Sequence, residues 1–178
     1  MTAKEFIKLY FAWSGSQFDE ILIKRNDYLT QTGQIEKYLY LITDGALIVT
    51  YMHKNEELTV RLGYKGSVIS SLDSFITGKP SQFSLKAIRS TKAIRLDREI
   101  YLDFISSNPK LNNFHTLIIN ELLISMLDRE IDLLTSSPNE RYQRILKRSP
   151  QVFQEIPLKY IASYLRMTPE TLSRLRKY

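Results

Sequence analysis

Residues 110–137, KLNNFHTLIINELLISMLDREIDLLTSS, run for 28 positions without a glycine or a proline. As a helix that stretch is roughly 40 Å long. It is too apolar for a single buried stripe. Leu111, Phe114, Ile118, Leu122 and Met126 share one face. Leu117, Asn120, Ile124, Leu127, Ile131 and Leu134 share another, at alternating steps of three and four residues, which is coiled-coil spacing. A helix with two apolar faces must pack on two bodies. One is expected to be the chain's own β domain, and the other a second copy of the chain. Asn120 would then occupy a core position of the seam, where a polar group fixes register at some cost in stability. The alternative is burial inside one large monomer, but the chain offers little further mass to cover the second face.

Upstream the pattern is β. Residues 1–27 read as a helical lead-in, with Phe6, Leu9 and Tyr10 on one face, passing toward strand in SQFDEILIKRNDYL. YLYLITDGALIVTYM is two β-rich runs around Asp44-Gly45, a hairpin signal. A polar turn, HKNEE, leads to LTVRLG, and SQFSLKAIRSTKAIRLD supplies two more strands on either side of 89–91. Short strands with evenly spaced turns predict an antiparallel sandwich or barrel. After Asp97 the period becomes helical. A short helix breaks at Pro109, the long helix follows, and Ser136 or Ser137 caps a further helix whose first turn holds Pro138. That helix is interrupted at Pro150.

Charge separates the two ends. Residues 1–135 carry 16 Lys+Arg and 16 Asp+Glu, whereas residues 136–178 carry 9 and 3, so the whole net charge of +6 lies in the last quarter. This suits either a polyanion-facing segment or a solvated basic face. The last 23 residues, IPLKYIASYLRMTPETLSRLRKY, explain which cations are placed where. Leu158, Ile161, Ala162 and Leu165 form an inward face, and Ala162 is small enough for a close helix crossing. RMT links to a second helix, with Thr168 as N-cap and Pro169 at its first position. Leu172 and Leu175 face inward. Glu170, Thr171, Ser173, Arg174 and Lys177 face outward. This is the helix–turn–helix layout, whose second helix enters the DNA major groove. Arg donates two bonds to guanine and Glu accepts from cytosine, while hydroxyls and Lys hold phosphates. An amphipathic hairpin on a basic surface is the competing reading.

These residues carry a resemblance. IPLKYIASYLRMTPETLSRLRK resembles the helix-turn-helix of the catabolite-activator/fumarate-nitrate regulator (Crp/Fnr) family of bacterial transcription factors, in the short version common in the Bacteroidetes. ERYQRIL looks like that branch's lead helix, and GSVISSLDSFITGKPSQFSLKA is similar to its ligand-pocket segment. The resemblance covers nearly the whole chain. It implies an α+β fold: an antiparallel β-roll of the cyclic-nucleotide-binding type over 1–108, a dimerisation helix over 109–135, and a helix-turn-helix of winged-helix type over 136–178 with residues 169–177 as recognition helix. The family's base-contacting Glu and Arg fall on Glu170 and Arg174. Its first contact position is Pro169 here, so that contact is lost. Arg166 stands where the family usually has Gly; a left-handed backbone there costs a non-Gly residue about 1 kcal/mol, with an added phosphate contact as the return. With the sequence ending at Tyr178, wing strands are expected to be missing. A β-roll module that binds ligand or protein and no longer reads DNA is therefore the alternative function.

The resemblance also locates a pocket. Between Gly66 and Ala87 the family's Gly-Glu pair becomes Ser70-Ser71, and its Arg-Ser-Ala becomes Ser81-Gln82-Phe83. A neutral Ser cannot replace a charge-assisted phosphate contact, and Phe83 is bulkier than Ala. No tight binding of cyclic AMP or cyclic GMP is expected; another small effector stays open, with Lys79, Gln82 and Lys86 as possible anion contacts or as a solvated loop.

Composition excludes other classes. With 43% hydrophobic residues the chain can bury a core. The absence of cysteine removes disulfides, thiolate metal sites and the iron–sulfur cluster of the fumarate-nitrate branch. No metal site is expected. His53 sits in a polar turn, and His115 among apolar residues reads as a packed or interface histidine. No P-loop or dinucleotide fingerprint appears, and no enzyme is expected. Asp128, Arg129, Glu130 and Asp132 (DREID) read as exposed ion pairs. The first residues lack the core of a signal peptide and no run spans a bilayer, so a cytoplasmic protein is expected. Its partners would be double-stranded DNA and a second copy of itself, with RNA polymerase a candidate.

Overall fold

The computed structural model describes residues 3–15 and 19–177. Residues 16–18, where the passage from helix to strand was expected to begin, and Tyr178 lie outside the described residues. The lead-in helix α1 (Ala3–Ser14) is shorter than the helical reading of 1–27. It buries Phe6 and Tyr10 as expected, but Ile7 in place of Leu9, which is half exposed. Two short strands follow, β1 (Glu20–Ile23) and β2 (Tyr28–Thr30).

The other strands are β3 (Tyr38–Asp44), β4 (Ala46–His53), β5 (Glu56–Tyr64), β6 (Val68–Ile69), β7 (Phe83–Ala87) and β8 (Thr91–Asp97). They form two four-stranded antiparallel sheets, ordered β1-β8-β3-β6 and β2-β7-β4-β5. The inner faces meet through Tyr40, Ile42, Leu47, Val49, Ile69 and Leu85, and the sheets do not close into one barrel. Asp44-Gly45 is not a hairpin. β3 pairs with β6 and β8 while β4 pairs with β5 and β7, so the chain changes sheet at this dipeptide. Gly45 has φ +86°, and a Cβ there would lie 2.4 Å from the Ser90 carbonyl oxygen. A tight corner and a hairpin both need positive φ, so the residue pair alone does not separate them. The true hairpin joins β4 to β5 at Lys54-Asn55, where both φ values are positive (45° and 69°), as a two-residue primed turn demands.

Helix α2 (Leu72–Thr77) lies between β6 and β7. α3 (Arg98–Ser106) is capped by Asp97, which accepts from the backbone of Glu99 and Ile100. The long helix α4 (Pro109–Leu134) has 26 residues and is capped by Asn108. It ends three residues before Ser137, because Thr135 turns extended and Ser137 caps α5 (Pro138–Arg148) by accepting from Glu140 N–H. α6 (Val152–Glu155), α7 (Leu158–Tyr164) and α8 (Pro169–Leu175) complete the chain, and among the described residues every element after β8 is helical. No helix among them is long and apolar enough to cross a membrane.

Two further clusters join the parts. α1, α3 and the start of α4 share Phe6, Tyr10, Tyr101, Phe104 and Leu111. The terminal helices pack on the outer side of β4 and β5, where Ala46 and Ile48 meet Tyr142, Ile145, Ile161 and Leu165. Ser163 Oγ accepts from Thr59 N–H at 3.0 Å across this junction, and Arg89 pairs with Glu155 at 3.1 Å.

Candidate nucleic-acid interface

The turn between α7 and α8 is built by hydrogen bonds. Met167 N–H reaches Ala162 C=O at 3.0 Å and Arg166 N–H reaches Ser163 C=O at 3.1 Å, the paired bonds of a Schellman ending. That ending needs a left-handed residue, and Arg166 supplies it at φ +55°. Arg141 braces the turn from α5, donating to Thr135 C=O at 2.8 Å and to Arg166 C=O at 3.4 Å. Thr168 caps α8 by accepting from Thr171 N–H at 3.2 Å. Ile161, Ala162, Leu165 and Leu172 are fully buried, with Leu158 and Leu175 packed against them. Inward packing thus fixes which residues point out.

Glu170, Arg174 and Lys177 are exposed, and Thr171 and Ser173 half-buried beside them. Leu158, Pro169, Glu170, Ser173, Arg174 and Lys177 line one shallow groove. Among the described residues none of Arg166, Glu170, Arg174 and Lys177 joins an ion pair. The Glu170 carboxyl is held below its usual range by its own backbone N–H and by the Thr168 hydroxyl, so it is an acceptor at neutral pH. α8 ends at Leu175, two residues short of the recognition helix expected over 169–177, and Arg176 and Lys177 lie in a turn.

On α4, Leu111 is buried and Phe114, Ile118 and Leu122 half-buried, while Met126, expected on the same face, is exposed. The second face is bare. Leu117, Ile124, Leu127, Ile131 and Leu134 are between 48% and 79% exposed, and Asn120 is exposed among them.

The segment expected to form an effector pocket is closed on itself. Ser70, Ser71 and Ser81 are buried. Ser70 Oγ donates to Tyr38 C=O at 2.8 Å. Ser71 and Ser81 meet at 2.6 Å, and both donate to Asp73 Oδ1, at 3.2 and 2.8 Å. Asp73 Oδ2 accepts from Gln82 N–H at 2.8 Å. The Gln82 side chain is exposed, and Phe83 packs beside Tyr51 with ring centres 5.9 Å apart. Beneath lies a second carboxyl, Glu36, 1% exposed, which accepts from Thr30 Oγ1, Tyr38 N–H and Tyr40 OH. Burial pushes its pKa up against these bonds.

Neither carboxyl was identified from the sequence. The only signal for Asp73 is its hydroxyl-rich company, SSLDS. DREID also differs from expectation. Asp132 is fully buried and accepts from Arg144 Nε at 2.7 Å and from Arg148, both on α5. Arg129 lies over the Tyr164 ring at 4.9 Å and donates to Thr59 C=O at 3.2 Å. Asp132 is thus not part of an exposed pair, because α5 folds back onto the end of α4, whereas Asp128, 3.6 Å from Arg144, and Glu130 stay partly or fully exposed. Arg144 and Arg148, one helical turn apart, were the readable hint. His115 is packed, its Nδ1 2.8 Å from Tyr101 OH, and burial lowers its pKa. His53, at the end of β4, is exposed.

No family model matches the chain, and no curated protein matches it significantly. Solved structures do. FixK2 from Bradyrhizobium japonicum is 15% identical, with TM-score 0.78 over 91% of this chain and 84% of that one. The c-di-GMP-responsive regulator CLP from Xanthomonas campestris is 14% identical, with TM-score 0.69 over 98% and 90%. A protein described as a transcriptional regulator of the Crp/Fnr family, from Eubacterium rectale, is 14% identical, with TM-score 0.69 over 100% and 83%. The fold is that of the Crp/Fnr regulators. On that fold the two-sheet roll, the long α4 and the terminal helix pair of this chain stand in the order that the resemblance implies.

Proposed function

We propose that this chain is a homodimeric, DNA-binding transcriptional regulator made of a β-roll (1–108), a dimerisation helix (109–135) and a DNA reader (136–178). α8 enters the major groove. Arg174 and Glu170 face base edges, and Arg166, Thr168, Thr171, Ser173 and Lys177 hold the phosphates. The observation that carries this reading is the exposed outward face of α8, whose charged groups join no ion pair among the described residues; the left-handed Arg166 of the turn before it is exposed too, on the side that faces the roll and Arg129.

Dimerisation rests on the bare face of α4. Five large apolar side chains at alternating spacing are left uncovered by the chain's own fold, and a second α4 offers the complementary seam. Two recognition helices would then meet successive grooves about 34 Å apart. The roll binds no cyclic nucleotide. Asp73 already occupies the hydroxyl and N–H donors at 71, 81 and 82, and its negative charge opposes a cyclic phosphate there.

The test is titration of a mixed duplex by fluorescence anisotropy at several salt concentrations. The proposal expects log affinity to fall linearly with log salt, with a slope of about −0.9 for each phosphate neutralised. Absence of binding at low salt would overturn it.

A further inference from the structure

Behind the DNA-reading face lies a second group of cations, turned inward. A cavity of about 900 Å³ runs along α4, between it and β3, β5 and β6, from α2 and α3 at one end to α5 and Tyr164 of α7 at the other. Its wall is apolar, with Leu62, Ile69, Ile118, Leu122, Ile145 and Val152 among the lining residues. One end carries Arg61 from the roll, Arg129 from α4 and Arg148 from α5, grouped around the buried Tyr164 of α7. None of the residues 70, 71, 81, 82 or 83 lines it, so it is separate from the closed hydroxyl network.

The charge at this end is not balanced. Asp132 is shared between Arg148 and Arg144, and Arg144 also reaches Asp128 at 3.6 Å. Arg129 keeps its buried Nε without a partner, and one buried terminal nitrogen of Arg148 has no neighbour within ideal hydrogen-bond geometry, although the Tyr164 hydroxyl lies beside that guanidinium. Among the described residues Arg61 and Arg129 join no ion pair. The other titratable groups on the lining are Tyr64 at the end of β5, His115, on the first half of α4, and Glu121, which is exposed. Burial lowers the pKa of Arg61 and of Arg129, yet a guanidinium does not lose its proton in a protein, so the charge persists. Unpaired buried N–H groups are costly, and a bound anion is the direct remedy. The apolar wall adds a requirement for an apolar body.

We infer that this cavity binds a small organic anion with an apolar tail, a carboxylate or a phosphate monoester, whose head is held by Arg61, Arg129 and Arg148. Such a ligand ties the roll, the long helix and the DNA-reading unit together through one head group. Binding is independent of the DNA-reading assignment; only an effect on DNA affinity rests on it.

The full chain is titrated calorimetrically with octanoate, octyl phosphate, octan-1-ol and inorganic phosphate. At least one of the two tailed anions is expected to bind and to raise Tm, and the better of the two identifies the head. Octan-1-ol and inorganic phosphate are expected to bind about tenfold or more weaker than that anion. Arg61→Gln, and separately Arg129→Gln, each weaken it by about tenfold, Arg61→Lys restores part of the affinity, and Arg174→Ala leaves it unchanged. Circular dichroism establishes that each variant folds. The inference is overturned if neither tailed anion binds at about 1 mM. It is equally overturned if both Gln variants bind as the unmodified chain does, or if octan-1-ol or inorganic phosphate matches the tailed anion.

Discussion

Residues 70–83 and residues 166–177 are both short, polar and hydroxyl-rich, and the fold treats them oppositely. In the first, Ser71, Ser81 and the Gln82 N–H are all spent on Asp73. In the second, Thr168 is spent on capping, Glu170 is exposed with only local bonds at the helix start, and Arg166, Arg174 and Lys177 are exposed without an ion pair among the described residues. Polar composition does not distinguish the two. What distinguishes them is a carboxylate inside the first loop, and in the second a helix that packs by its leucines alone. A polar group available to an outside partner is one that no inside partner has taken.

The largest effect is expected at the device that would present two open surfaces together. Ile124→Glu with Leu127→Glu places like charges on the bare seam of α4. Light scattering should then report a monomer, and DNA affinity should fall by about 10²–10⁴-fold through lost avidity. A doubly substituted chain that still dimerises would put the seam elsewhere. On the closed side, Asp73→Ala removes the acceptor of two hydroxyls and one N–H, leaving the Ser71 and Ser81 hydroxyls only each other as acceptor, and denaturant unfolding should show a loss of about 1–3 kcal/mol. Gain of cyclic nucleotide binding is not expected, because Ser81 remains neutral. At the turn, Arg166→Gly relieves a left-handed non-glycine residue and should raise stability by about 1 kcal/mol, while weakening DNA and lowering the salt slope by about one. The smallest effect is a slope. The pKa of His115 is lowered from 6.5 in the fold by burial. The unfolded chain therefore takes up the proton first as pH falls, and stability drops with acidification below about 6.5. His115→Gln should flatten Tm against pH in that range.

How much of this could be read in advance differs by element. Helix ends signalled by Ser137-Pro138 and Thr168-Pro169 stand where their capping chemistry puts them, because caps are local. The left-handed Arg166 follows from the resemblance and is present. Asp44-Gly45 failed as a hairpin because strand partners are chosen by sheet packing, which is not local. Asp132 and Asp73 were missed for a related reason. Apart from Ser71, two residues before Asp73, their partners sit 8 to 16 residues away, and only the folded chain brings them into reach. The outward residues of α8 were legible because one inward leucine pair at helical spacing fixes the opposite face.

The most direct test of the central claim is selection of bound sequences from random duplex DNA, run with the unmodified chain and with Arg174→Ala. The account predicts a near-palindromic site with half-sites about one helical turn apart. It predicts that Arg174→Ala loses discrimination at one symmetric base-pair position, by about 1–3 kcal/mol, and keeps the rest. An unchanged selected sequence with Arg174→Ala, or no enriched sequence from the unmodified chain, would contradict it.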